Sequence, residues 1–223
     1  MKKKLLVLIC FAVLMATGVQ AGLFKNSVDL ADLSDLSPQS LENLKESEFA
    51  VFLAQVHLNA AKAAERRAGG AVKATNRTLE AENLDMKAAK AESKAAKANQ
   101  DSERETVATA RIAGANEDLM TAKALLKWKA QEQEAREAQV AMAKSELDLA
   151  EANRDLARLR LLTQEAAPSF DKYDLGEFER SAEKRKKEFD AASRKAQDKL
   201  AKLDKLKTEW DRLAKNIDIA ETE

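Results

Sequence analysis

Acid–base or metal chemistry needs imidazoles, thiols or paired carboxylates gathered at one place, and few residues of this chain could begin such a group. His57 is the only histidine. A single imidazole lacks the second and third ligands of a metal site, and it sits inside an apolar stretch that fits a packed or partly exposed structural side chain better. Cys10 is the only cysteine. Carboxylates are plentiful, but they stand at helix-surface spacing beside Lys and Arg, as in Glu132, Glu134 and Arg136, where ion pairs four residues apart are the expected arrangement. Acid–base carboxylates need a pocket that separates their pKa values, and a thin helical protein has none. The sequence holds no glycine-rich phosphate loop and no Gly-x-Ser-x-Gly elbow. No enzyme, no cofactor, no metal and no small-molecule substrate is expected.

Two further features could bind rather than react. Lys184, Arg185, Lys186 and Lys187 form a basic run that reads as a solvated helix face, or as a contact for an acidic partner or an anionic surface. Overall, Lys plus Arg equals Asp plus Glu at 38 each. No global field is available to hold nucleic acid. Trp128 and Trp210 fall on apolar stripes, where indoles fill wide core layers.

The elements that would carry these residues are helices. Aromatics are 4% of the chain, charged residues 34%, and there are 6 Gly and 2 Pro in 223 residues. That mixture of Ala, Glu, Lys, Leu and Arg makes long helices with thin contacts. The expectation is an all-α fold, an elongated antiparallel coiled coil or long-helix bundle of about four helices.

The first residues have a different purpose. Lys2, Lys3 and Lys4 precede twelve apolar residues from Leu5 to Ala16, too short for a bilayer span, and Val19-x-Ala21 presents small residues to a signal peptidase. Residues 1–21 therefore read as a signal peptide cleaved after Ala21. Cleavage would remove Cys10, which suits a periplasmic or secreted protein, and no transmembrane segment is expected in the mature chain.

Residues 22–36 read as a flexible tether, whose threefold Asp-Leu-small repeat is expected to form a turn or short helix that docks loosely. Residues 37–112 form an Ala-rich helical region that opens with Ser37 as N-cap and Pro38 at the first helical position. From Phe49 to Ala64 it is apolar on more than one side, so it is expected to touch two neighbours. A break is expected at 69–70, where Gly69 and Gly70 adjoin, and a turn is favoured at 113–116 around Gly114. Residues 116–217 read as an antiparallel coiled-coil hairpin turning at 165–174 around Pro168, and residues 218–223 as a tail. One arm carries Trp128, Met142, Leu149, Leu156 and Leu159 on a stripe whose positions from Thr121 to Leu159 alternate between spacings of three and four. The other carries Phe178, Phe189, Leu203, Leu206, Trp210 and Leu213, interrupted by Arg185 and Lys199. With both indoles about 40 residues from Pro168, they are expected to meet at the far end of the rod formed by the hairpin.

The stretch Ala135 to Leu162, Ala-rich with leucines at 147, 149, 156, 159, 161 and 162, resembles the helical hairpins of efflux adaptor proteins and the helical barrels of outer-membrane efflux channels. That resemblance implies paired helices and nothing about activity. The function expected is that of an exported, non-enzymatic coiled-coil scaffold or adaptor of the cell envelope, meeting a protein partner there or self-associating. The alternatives are a periplasmic holdase-type chaperone and a spacer that binds an envelope surface.

Overall fold

The computed structural model describes residues 27–220, and among them the regular structure is entirely helical. The expected signal peptide and the start of the expected tether lie outside the described residues. Three long helices carry the molecule: α2 (Lys45–Ala98), α3 (Ser102–Gln164) and α4 (Leu175–Ala220). A short helix, α1 (Pro38–Asn43), leads into α2. Two 3-10 turns, η1 (Leu30–Asp35) and η2 (Pro168–Lys172), complete the order. Among the described residues the long helices number three, where about four helices were expected.

The difference comes from glycine. Gly69, Gly70 and Gly114 are all inside continuous helices, with space around each where a Cβ would stand. The reversal occurs instead at Asn99-Gln100-Asp101. Gln100 adopts φ 56°, its N–H donates to the Lys97 carbonyl, and the Asp101 N–H reaches back to the Ala96 carbonyl at 3.0 Å. This is the Schellman way of ending a helix, usually built on glycine. Asp101 then starts α3, accepting the Arg104 N–H at 3.0 Å, with Glu103 and Glu105 in the positively polarised first turn.

The second reversal falls within the expected 165–174. Ala166 takes φ 49°, the Ala167 N–H donates to the Leu162 carbonyl at 2.9 Å, and Pro168 opens η2. Asp174 caps α4, accepting the Gly176 N–H at 2.8 Å. α4 then runs through the expected boundary at 217 to Ala220. Ser37 caps α1 as its sequence implies, with Pro38 at the first helical position.

Long helices pack on one another, and α3 is the shared partner: both α2 and α4 lie against it. Bridges between α2 and α3 join Glu48 to Arg158, His57 to Glu146, Glu92 to Arg111 and Lys97 to Glu105. Numbers rise on α2 as they fall on α3. Bridges between α3 and α4 behave likewise, from Arg160–Glu179 through Asp148–Arg185 and Glu134–Lys199 to Lys127–Glu209.

Contact surfaces change along the length. On α2, Ala54, Ala68, Thr75, Ala89 and Ala96 are buried at intervals of seven or fourteen, and on α3 Ala108, Ala115 and Ala122 repeat at seven. Small residues let the two backbones approach closely but bury little apolar area each. The buried Thr75 hydroxyl is satisfied by the Ala71 carbonyl at 3.0 Å.

At the opposite end the molecule has a conventional core. Val28, Leu33, Leu36 and Leu44 pack on Leu156, Leu159 and Leu162 of α3 and on Phe178 of α4. Residues 28–36 are thus docked, not a flexible tether, because three apolar side chains at 28, 33 and 36 find cover there.

Candidate interaction surfaces

The docked N-terminal segment is fastened by two polar clasps. Tyr173, pointing back from the end of η2, donates its hydroxyl to Asp32 at 2.5 Å and accepts the Asp29 N–H at 3.0 Å. Lys172 adds an ion pair to Asp32 at 2.7 Å. Hydrogen bonding to Lys172, then to Tyr173, holds the Asp32 carboxyl below the ordinary Asp range. Burial and the Asp32 hydrogen bond push the Tyr173 phenol upward.

The second clasp is Glu165, just past the end of α3. Its carboxylate accepts from the Ser37 N–H at 2.7 Å, from the Ser37 hydroxyl at 2.6 Å and from the Ser40 hydroxyl. These donors hold its carboxyl below the ordinary Glu range, Ser37 and Ser40 hydroxyls foremost.

Next to the core lies a buried charge cluster. Arg158 and Asp155 are 7% and 4% exposed. Asp155 accepts from Arg154 at 3.0 Å and from Arg158 at 3.2 Å, while Arg158 also donates to Glu48 of α2 at 3.1 Å. Each buried charge thus meets an opposite one, as burial requires. One helical turn away, desolvation raises the Glu151 carboxyl above its ordinary range.

Leu156, Leu159 and Phe178 are buried; Trp128, Met142, Leu149, Phe189, Leu203, Leu206, Trp210 and Leu213 are half-buried. Trp128 and Trp210 stack with ring centroids 5.0 Å apart. Their position is part-way along α3, not at its end, since α3 begins at Ser102. The two basic residues in the α4 stripe are explained by their heads: Lys199 binds Glu134 across the seam, and Arg185 binds Glu188 at 2.8 Å with Asp148 at 3.9 Å. Glu134 therefore pairs between helices, whereas Glu132 keeps the local pairing with Arg136 at 4.0 Å.

Within the basic run, Lys184, Lys186 and Lys187 are exposed and Arg185 is half-buried. Lys184 pairs with Glu188 at 3.9 Å and Lys187 with Glu183 at 3.6 Å. An open, shallow depression on this face is lined by Glu179, Arg180, Glu183, Lys184 and Lys187, so acids and bases alternate across it.

His57 is exposed, with Nδ1 3.1 Å from the Glu146 carboxylate. Among the described residues no group of three or more His, Asp or Glu side chains is placed to hold a metal. No described helix is long and apolar enough to cross a membrane.

The surface least anticipated is on α2. Ala54 and Leu58 face α3 and are buried, while Phe49, Phe52, Leu53 and Val56 remain 58%, 54%, 39% and 44% exposed. The helix is apolar on two sides, as its sequence implies, but among the described residues only one side has a neighbour. No family model, curated protein or solved structure matches this chain.

Proposed function

We propose that this protein is a non-enzymatic antiparallel coiled-coil scaffold or adaptor of the cell envelope, exported by a signal peptide cleaved after Ala21 and working through helix–helix contacts. The observation that carries the reading is the helix layer itself: three long helices with narrow seams, whose outer faces stretch over roughly 95 Å by the rise of a 63-residue helix. The 3-4 spacing on α3 and α4 and the opposed numbering of the bridging pairs support an antiparallel coiled coil. The mixture of acids and bases around Lys184 and Lys187 favours protein contacts over an anionic envelope surface.

Two measurements test this. N-terminal sequencing of the protein from an envelope fraction is expected to begin at Gly22; a cytoplasmic protein starting at Met1 sinks the export step. Crosslinking in intact cells through the exposed lysines of α4 is expected to join the chain to a discrete set of envelope proteins.

A holdase-type chaperone is the second reading, favoured by the exposed Phe49, Phe52, Leu53 and Val56, since apolar surface of that kind can hold unfolded clients. Suppression of the aggregation of an unfolded outer-membrane protein at stoichiometric amounts, without discrete crosslinked partners, would establish it instead.

A further inference from the structure

The exposed face of α2 has a polarity that identifies what covers it. Reading along the helix at sevens, one row is Glu46, Leu53, Ala60 and Arg67, and the adjoining row is Phe49, Val56 and Ala63. The apolar members of both rows run from large to small, and the first row also has an acid at its start and a base at its end. Glu46, Phe49, Leu53, Val56, Ala60 and Arg67 are all exposed.

A parallel copy of this face would set Phe49 against Phe49, leave Ala63 facing Ala63 across a gap, and bring Glu46 to Glu46. A reversed copy about a two-fold axis at Val56 does the opposite. Phe49 then comes level with Ala63 of the second copy, Leu53 with Ala60, and Glu46 with Arg67, while Val56 meets itself. Large side chains enter the space left by small ones, and unlike charges close both ends of the stripe. Lys45, on one flank, already has Glu42 as its ion-pair partner.

We propose that this face of α2 is the seam of a homodimer in which α2 of a second copy packs antiparallel across it, centred on Val56. An isologous contact of this kind uses one patch twice, so self-complementarity is the property it requires. It deepens the scaffold reading, on which it rests for its place in the cell: the finished unit is a pair of helix layers joined through their α2 helices.

The test is the mass in solution of protein purified from cells expressing the full chain, by light scattering and sedimentation over a wide concentration range. The wild type is expected to pass from monomer to dimer as concentration rises. Phe49→Glu is expected to be monomeric throughout with unchanged helical circular dichroism, because the side chain it replaces is exposed. Arg67→Glu is expected to weaken association about tenfold or more, and Glu46→Arg combined with Arg67→Glu to recover most of it. A wild type that stays monomeric overturns the proposal, as does a dimer indifferent to Phe49→Glu or a double variant no tighter than Arg67→Glu. A monomer that still starts at Gly22 and crosslinks to envelope proteins removes the dimer and leaves the scaffold; a cytoplasmic dimer does the reverse.

Discussion

Glu165 ends one helix and holds the start of another. Three donors from Ser37 and Ser40 converge on its carboxylate, and Lys172 and Tyr173 converge on Asp32 nearby. Both carboxyls lie below their ordinary values when folded, so their contribution to stability is complete above the unfolded values of about 4 and is lost as pH falls through the folded ones. Asp32→Asn combined with Glu165→Gln is expected to flatten the acid side of the stability curve. Urea midpoints measured from about pH 6 down to about pH 3 would check it, and a variant as acid-sensitive as the wild type would refute it. The alkaline side has the opposite sense. Lys172 and Tyr173 are both raised on folding, so what they contribute is present below about pH 10 and fades as pH rises through their folded values. At the two reversals, Gln100 and Ala166 occupy left-handed backbone that a side chain resists. Gln100→Gly and Ala166→Gly should each raise stability by roughly 0.5 kcal/mol, the relief of strain partly offset by the greater freedom of glycine in the unfolded chain. Thermal melts of the two variants decide that.

The same positions explain which helix boundaries can be read from sequence and which cannot. Pro168 forbids continuation of α3 and Ser37-Pro38 starts α1, so these limits follow from backbone chemistry that no tertiary contact reverses. Glycine only lowers helix propensity, and packing along a seam outweighs a loss of about 1 kcal/mol per residue. Thus Gly69, Gly70 and Gly114 stay helical, while the true turn at Asn99–Asp101 is marked by a weaker signal, an Asp N-cap followed by Glu103 and Glu105. The meeting of Trp128 and Trp210 was legible, because both lie about 40 residues from the reversal at Pro168. The partners of Arg158 and Glu165 were not, since Glu48 and Ser37 are 110 and 128 residues away. Gly69, Gly70 and Gly114 each have open space where a Cβ would stand. Gly69→Ala, Gly70→Ala and Gly114→Ala should therefore each stabilise by about 0.5 to 1 kcal/mol. A fall in melting temperature for Gly69→Ala or Gly70→Ala would mean that the chain does bend there.

The whole molecule is graded along its axis. At one end a cluster of leucines, Phe178 and two polar clasps joins the N-terminal segment to α3, to α4 and to the turn between them. The reversal at Asn99–Asp101 is the other end, where α2 and α3 meet through Met86, Ala89, Ser93, Ala96, Ala108 and Ala115. Large buried side chains at the first end give way mostly to alanine at the second, so local stability is expected to fall in the same direction. Amide hydrogen exchange is expected to be slowest in residues 152–162 and fastest on either side of residue 100; a uniform profile would contradict the gradient. The fastening at the thick end has one more consequence. Asp29 and Tyr173 are 144 positions apart, so in any chain that emerges N-terminus first, Val28, Leu33 and Leu36 are made long before the surface that covers them. An incomplete chain that stops short of Tyr173 shows those three side chains, whereas the finished one hides them. Surveillance factors that sample apolar residues can therefore tell a half-delivered molecule from a whole one at its first few turns.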